Sequence, residues 1–388
     1  MAKLFADRLA FLGGNVFATI DQVKQERLRQ GKPLIDLSLG SADLPTHPVI
    51  LAAIAAALQD TSTHGYVLFG QTKYFREAVA QWFEQRFGIQ VDPETEVLPL
   101  IGSQEGTAHL PLALLNPGDY ALVLDPGYPS HYGGVYLAGG VPWGMPLRSE
   151  FNFLPDLGAI PPSVLQQAKL MILSYPHNPT TAIADMDFFR SAVEFCQRYG
   201  LWLIHDFPYM DIVFDGYVAP AMLQADPDKS VTIEFFTLSK SYNMGGFRVG
   251  FAIGNSQLIS ALRQIKAVVD FNQYQGILRG AITALTSDEI VVKQSVLELQ
   301  KRRDFMVDAL QRIGWQVQKP KATMYLWAKI PHANSMEFCR QLIWEQGIAL
   351  SPGAGFGKQG EGFVRFALVH PIETLQEVID RLPVFSLY

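Results

Sequence analysis

A lysine and an arginine eight residues later are the side chains of this sequence best suited to covalent chemistry. Lys240 follows an apolar run at residues 231–236 and the hydroxyl residues Thr237 and Ser239, and two glycines precede Arg248. Those glycines disfavour a regular helix, so the loop can bring both cations towards one anionic ligand. A lysine near another cation becomes a nucleophile for carbonyl groups, and an arginine binds phosphate oxygens. The segment therefore predicts a site for a phosphate-bearing aldehyde, although an ordinary basic loop is the simpler interpretation of the lysine alone.

Other polar side chains follow short apolar runs that alternate with helical patterns. Strands that are apolar on both faces and separated by helices indicate a mostly parallel sheet, and ligands collect beyond the carboxyl ends of such strands. The predicted strands span residues 97–101, 121–124, 170–173, 201–204, 231–236 and 249–253. The polar residues near their ends are Ser103, Asp125, Tyr128, Asn178, Asp206, Tyr209 and Lys240. We expect them to share one edge of the sheet.

Three of these residues also have a plain structural interpretation. Asp206 alone suits a helix cap, and Asn178, between His177 and Pro179, suits a turn or a cis peptide bond. Ser103 opens a predicted helix, whose free amides favour a phosphate whether or not its side chain caps the helix. Residues 35–40 alternate like a strand that ends at Gly40, where the backbone can approach a ligand.

Arg365 lies on a predicted strand between apolar residues, in the segment Phe363-Val364-Arg365-Phe366-Ala367. A buried arginine needs an anionic partner, and the α-carboxylate of a substrate would supply one through two parallel hydrogen bonds. A structural ion pair competes with this interpretation.

Composition indicates a globular protein with a large core. The chain has 388 residues, 48% of them hydrophobic, and a net charge of -6, which argues against a nucleic-acid partner and favours two domains. Cys196 and Cys339 lie far apart and are expected to be buried thiols, with no metal site. No run reaches the roughly 18 apolar residues of a membrane span, so we expect a cytoplasmic protein without a membrane partner.

The segment 237–248 closely resembles the Schiff-base motif of the class I and II aminotransferases, the fold-type I pyridoxal phosphate enzymes. The resemblance extends from about Gly40 to Arg365. It implies an α/β fold: a large domain with a mostly parallel sheet flanked by helices, and a smaller α+β domain. We expect residues 1–45 to form an N-terminal arm and part of the small domain, 46–284 the large cofactor-binding domain and 285–388 the small domain.

The resemblance also implies roles for individual residues. Lys240 would form the Schiff base with pyridoxal 5'-phosphate and move the substrate proton, and Asp206 would pair with the ring nitrogen. Tyr66 would reach the phosphate of the neighbouring subunit of a homodimer with shared sites. The remaining expected cofactor contacts are Ser103, Gln104, Tyr128, Asn178, Tyr209, Thr237, Ser239 and Arg248. The expected substrate contacts are Gly40, Asn178 and Arg365.

The implied activity is transfer of an amino group between an amino acid and a 2-oxo acid by a ping-pong mechanism. Motifs at residues 235–244, 321–328 and 351–357 look most like alanine (glutamate–pyruvate), LL-diaminopimelate and aspartate aminotransferases. Alanine–glutamate exchange ranks first, with LL-diaminopimelate or aspartate as alternatives. The sequence departs from these relatives at three positions: Gln104 stands where they often carry lysine, Thr181 where glycine is usual, and Arg279 where glutamine is frequent. Gln104 weakens the case for a dicarboxylic substrate, although Arg279 could restore the positive charge that this lysine would supply.

Two other functions fit the cofactor. A C–S lyase would release pyruvate and ammonia from cystathionine without a 2-oxo acid acceptor. A non-catalytic cofactor-binding regulator would need a DNA-binding module, and the sequence has no spare segment for one.

Overall fold

The computed structural model describes residues 5–6, 8–12, 16–288 and 290–385. Its thirteen strands, β1 to β13 in chain order, are Ile35–Asp36, Val97–Leu100, Tyr120–Asp125, Val141–Pro146, Ala168–Leu173, Trp202–Asp206, Thr232–Thr237, Gly250–Gly254, Gln316–Val317, Tyr325–Lys329, Ile348–Ala349, Ser351–Pro352 and Phe363–Ala367. Its fourteen α-helices, α1 to α14, are Arg8–Leu12, Val16–Arg29, Pro48–Gln59, Lys73–Phe87, Ser103–Leu114, Pro129–Leu137, Pro162–Leu165, Met186–Tyr199, Leu238–Ser241, Ser256–Val269, Gln275–Thr286, Ile290–Arg312, Ser335–Gln346 and Ile372–Arg381.

The large sheet has seven strands in the order β2-β8-β7-β6-β5-β3-β4. Strand β8 is antiparallel to both of its neighbours, and the other pairs are parallel. The predicted mostly parallel sheet is therefore confirmed. Strand β4 was not predicted, because Pro142, Gly144 and Pro146 interrupt any apolar run and place it at an edge.

Helices cover both faces of this sheet, as the pattern predicted. Leu170 and Ile172 of β5 pack in the same cluster as residues of α5 and α10, whereas Met171 and Leu173 pack in a different cluster with α8. Successive side chains of a strand point to opposite faces, so one apolar run serves two layers of helices. Helix α8 is held at its ends by Asp185, whose side chain accepts the Phe188 amide, and by Gly200 in a left-handed conformation.

The smaller sheet is antiparallel, with the order β12-β13-β10-β9. Arg365 of β13 lies opposite Trp327 of β10 and Ser351 of β12. Residues directly opposite one another share a face, and Tyr325 is two residues from Trp327, so these side chains lie on one side of the sheet. A separate pair, β1 with β11, is parallel.

Three smaller expectations can be compared with the structure. The strand predicted for residues 35–40 is shorter, because the Asp36 side chain accepts the Ser38 amide (2.8 Å) and redirects the chain. Cys196 and Cys339 are buried free thiols, and burial raises the pKa of both. None of the helices within the described ranges combines the length and the apolarity needed to span a membrane. The domain boundaries near residues 45 and 284 stay a prediction.

Candidate active site

A cavity of about 710 Å³ lies at the carboxyl edge of the large sheet. The small sheet contributes Tyr325 and Arg365 to its wall, and helix α2 contributes Asp21 and Lys24. Twelve of the predicted site residues line it: Gly40, Ser103, Gln104, Tyr128, Asn178, Asp206, Tyr209, Thr237, Ser239, Lys240, Arg248 and Arg365. Tyr66 lies outside the cavity and is 91% exposed. Asp125, at the end of β3, is not among the lining residues and accepts the Gln359 amide instead.

Lys240 enters the cavity from the one-turn helix α9, directly after the buried strand β7. The Thr237 side chain begins this helix by accepting the Ser239 amide (3.2 Å). The Lys240 ammonium donates a hydrogen bond to the Gly40 carbonyl. The strand end, the cap and the carbonyl thus fix where the amine lies.

The anion-binding end of the cavity combines a helix N-terminus, hydroxyl groups and a guanidinium. Helix α5 begins at Ser103, and Gly102 is its N-cap residue with no side-chain cap. Gly102 has φ +78°, and a Cβ there would lie 2.7 Å from Arg248 Nη2, so only glycine suits this position. Thr237 and Ser239 add hydroxyls 2.9 Å apart. Free helix amides beside an arginine fit a phosphate group.

Asp206 ends strand β6 and is 4% exposed. Its Oδ2 is 3.1 Å from His131 Nε2, whereas its buried Oδ1 has no hydrogen-bond partner among the described residues. A buried carboxylate oxygen without a donor is costly. The site therefore fits a ligand that presents a positively charged N–H to Oδ1, such as a protonated pyridine ring.

Arg365 is 6% exposed and has no acidic partner among the described residues. Its Nη1 donates to Asn178 Oδ1 (2.8 Å), and its Nη2 donates to the Ser38 carbonyl (2.7 Å) and Ser351 Oγ (3.1 Å). Its Nε is buried and has no hydrogen-bond partner in the part of the chain that the structure describes. The structural ion pair considered from the sequence is not found, and the uncompensated charge fits a carboxylate ligand.

Two departures noted in the sequence involve charge at the cavity. Gln104 accepts a hydrogen bond from the Tyr128 hydroxyl (3.2 Å), so a neutral amide occupies this part of the wall. Arg279 pairs with Asp60 (2.8 Å) and is not among the residues that line the described cavity. Thr181, the third departure, has φ +63°, a conformation that favours glycine.

Sequence reasoning missed His131, Tyr325 and the Asp21–Lys24 pair. His131 follows Tyr128 by three residues at the start of α6, and this helical spacing could have indicated it. Tyr325 alternates with Trp327 on a strand where both are buried, so nothing in the pattern separates a site residue from a core residue. Asp21 and Lys24 have the spacing of an ordinary surface pair on a helix.

The family model for aminotransferase class I and II matches residues 32–382. The chain is 43% identical over 380 residues to an LL-diaminopimelate aminotransferase of Dehalococcoides mccartyi, with 98% of each chain covered. It is 44% identical to the solved structure of a probable N-succinyldiaminopimelate aminotransferase from Thermus thermophilus, with a TM-score of 0.90 and coverage of 94% of this chain and 98% of that chain. Substrate-bound BacF from Bacillus subtilis is 34% identical, with a TM-score of 0.94 and full coverage of both chains.

Proposed function

Because this chain belongs to the class I and II aminotransferases, a family of pyridoxal phosphate-dependent enzymes, we propose that it transfers the amino group of LL-diaminopimelate to a 2-oxo acid. The observation that carries this proposal is Arg365, a buried cation without an acidic partner among the described residues, in the same cavity as Lys240. The names of the relatives support the choice of substrate, and so do Asp21 and Lys24, which line the exposed mouth of the cavity.

The cavity wall offers a contact for each part of pyridoxal phosphate. When bound, this cofactor withdraws electrons from the substrate Cα and carries the amino group between the two halves of the reaction. Asp206 would meet the ring nitrogen, Tyr128 the ring face, and Asn178 and Tyr209 the phenolic oxygen. The phosphate end would be held by Ser103, Gln104, Thr237, Ser239 and Arg248.

Lys240 would act as the general base and acid. Its amine would remove the proton from the substrate Cα and return a proton in the second half of the reaction. The hydrogen bond to the Gly40 carbonyl holds this amine in the cavity that Arg365 and Asn178, here called the carboxylate clamp, also line. Arg365 and Asn178 would fix the α-carboxylate, and this fixed orientation presents the Cα–H bond to the base.

The mouth of the cavity carries charges for the distal end of a substrate. Lys24 pairs with Asp36 (2.9 Å) and with Asp21 (3.2 Å), and Asp21 is the more exposed of the two carboxylates. Burial lowers the pKa of Lys24, but its hydrogen bonds to both carboxylates raise it overall, so the group is a cation. Two carboxylates around one ammonium leave a negative excess, which suits the ammonium but not the carboxylate at the distal end of diaminopimelate. We infer that Asp21 accepts the distal ammonium of diaminopimelate.

Alanine–glutamate exchange is the second candidate. Gln104 is neutral, and among the described lining residues the cations Lys24, Lys240, Arg248 and Arg365 are already paired or assigned. Alanine has no distal charge and needs no further partner, whereas the distal carboxylate of glutamate would need one. The two candidates differ in whether the mouth of the cavity contributes to substrate choice.

Single-turnover reaction of the holoenzyme with each amino acid separates the candidates. Loss of the visible absorbance would be followed with LL-diaminopimelate, alanine, glutamate and aspartate at equal concentration. We expect LL-diaminopimelate to have the highest kcat/KM among donors other than glutamate. A faster reaction with alanine would reject diaminopimelate as the substrate and favour alanine–glutamate exchange.

A homodimer with shared sites is part of the proposal. The exposed side chains of Tyr66, Leu68, Tyr74 and Val268 are large and apolar or aromatic, as expected of a surface that another subunit covers. Mixing inactive Lys240→Ala protein with an inactive Tyr66 variant should restore activity through hybrid dimers. Sedimentation of an active monomer at assay concentration would contradict it. A cytoplasmic location stays a prediction.

A further inference from the structure

Tyr325 contacts both Arg365 of the carboxylate clamp and the phenol of Tyr209. It is 2% exposed on strand β10, and its hydroxyl oxygen is 2.9 Å from that of Tyr209. The Arg365 guanidinium lies over its ring, 4.2 Å from the centroid. Gly40 leaves the space that the Tyr325 hydroxyl occupies, because a Cβ at this position would overlap it.

The number of protons in the phenol pair limits what Tyr209 can do. Each phenol has one O–H donor. If Tyr209 donates to Tyr325, its proton is not available to the phenolic oxygen of the cofactor. If Tyr325 donates to Tyr209, the Tyr209 proton remains free to point into the cavity.

The cofactor would decide between these two arrangements. Its phenolic oxygen would carry negative charge and would therefore be a stronger acceptor than the neutral Tyr325 hydroxyl. Tyr209 would donate its proton to this oxygen, and the 2.9 Å contact would then be made by the Tyr325 O–H, which donates to Tyr209.

We propose that Tyr325 is a further positioning residue of the active site: its hydroxyl donates to Tyr209 and leaves the Tyr209 proton for the phenolic oxygen of the cofactor. Through its ring face it also contacts Arg365, so one side chain links the α-carboxylate site to the cofactor site. The inference rests on the proposed contact of Tyr209 with the cofactor and not on the choice of substrate.

The test is a pH titration of the visible absorbance of the resting holoenzyme, without substrate. A donor at the phenolic oxygen stabilises its anionic form and lowers the midpoint of this titration. Tyr209→Phe should therefore raise the midpoint, and Tyr325→Phe should raise it less, by about half a pH unit. The double variant should match Tyr209→Phe alone, because Tyr325 acts through Tyr209.

Two further variants control for structural effects. Gly40→Ala displaces the Tyr325 hydroxyl and should also raise the midpoint. Tyr217→Phe removes a phenol that donates to the Ala184 carbonyl (3.3 Å) away from the cavity, and it should leave the midpoint unchanged.

The outcomes are distinguishable. An unchanged midpoint in Tyr325→Phe, or additive shifts in the double variant, would show that Tyr325 does not act through Tyr209. The proposed contact of Tyr209 with the cofactor would still stand. An unchanged midpoint in Tyr209→Phe would instead reject the proposed contact on which the inference rests.

Discussion

Replacing Arg365 with alanine should lower kcat/KM for every amino acid and 2-oxo acid that the enzyme accepts. A guanidinium has five N–H donors, and Arg365 uses three of them for Asn178, Ser38 and Ser351. The two donors that remain, on Nε and Nη1, lie on different edges of the guanidinium. A carboxylate that accepts two parallel hydrogen bonds would therefore also take an Nη2 N–H that now faces Ser38 or Ser351. At about 1.5–3 kcal/mol for each hydrogen bond to a charged group, the loss is about 3–6 kcal/mol, or about 10²–10⁴-fold.

The assay is kcat/KM from single-turnover measurements of both half-reactions. Arg365→Lys keeps the charge but not the planar pair of donors, so its loss should be smaller than that of the alanine variant. Arg27→Lys is a matched control, because Arg27 is also buried but donates to the Pro33 and Trp344 carbonyls away from the cavity. If kcat/KM fell less than about tenfold in Arg365→Ala, or fell equally in Arg27→Lys, Arg365 would not be the group that binds the α-carboxylate.

Two further predictions follow from charged and buried groups. Asp21→Asn should lower kcat/KM for LL-diaminopimelate about fivefold and leave kcat/KM for alanine unchanged, and the effect should be smaller at high salt because the side chain is exposed. The control Glu26→Gln, on the same helix, should change kcat/KM for neither substrate. An equal loss for both substrates in Asp21→Asn would contradict a contact with the distal ammonium. His177 has its pKa lowered from 6.5 to about 3 by burial and by the nearby His131, so the unfolded chain binds its proton first on acidification. The free energy of unfolding should therefore fall as the pH is lowered from 6.5 to about 3. Urea titrations at several pH values should show that this free energy depends less steeply on pH in His177→Phe than in the unmodified protein. An equal pH dependence in both proteins would show that His177 is not the cause.

The sheet and its functional edge could be predicted because their signals are local. Each predicted strand is nearly all apolar, and six of the seven polar residues expected near the strand ends line one cavity in the structure; Asp125 does not. Where the apolar run was absent, as in Val141–Pro146, the prediction failed. The same local logic gave Ser103 correctly as a residue at the start of a helix, although Gly102 is the N-cap residue.

The rest of the site depends on long-range neighbours. Arg365 donates to Asn178 and to the Ser38 carbonyl rather than to an acidic side chain, and these partners are 187 and 327 positions away in the sequence. Tyr325 becomes distinctive only because Tyr209, 116 positions away, is at hydrogen-bond distance. A single sequence does not specify such contacts.

The reversed direction of strand β8 limits how the loop at residues 238–249 can vary in length. A crossover to a parallel strand would return the chain to the opposite edge of the sheet, but β7 ends and β8 begins at the same edge. Inserting one residue between Lys240 and Arg248 would separate the two cations or shift β8 along β7. Such a shift would turn each side chain of β8 to the other face of the sheet, which is buried on both sides. We therefore expect the protein to tolerate substitutions in this loop more readily than insertions or deletions.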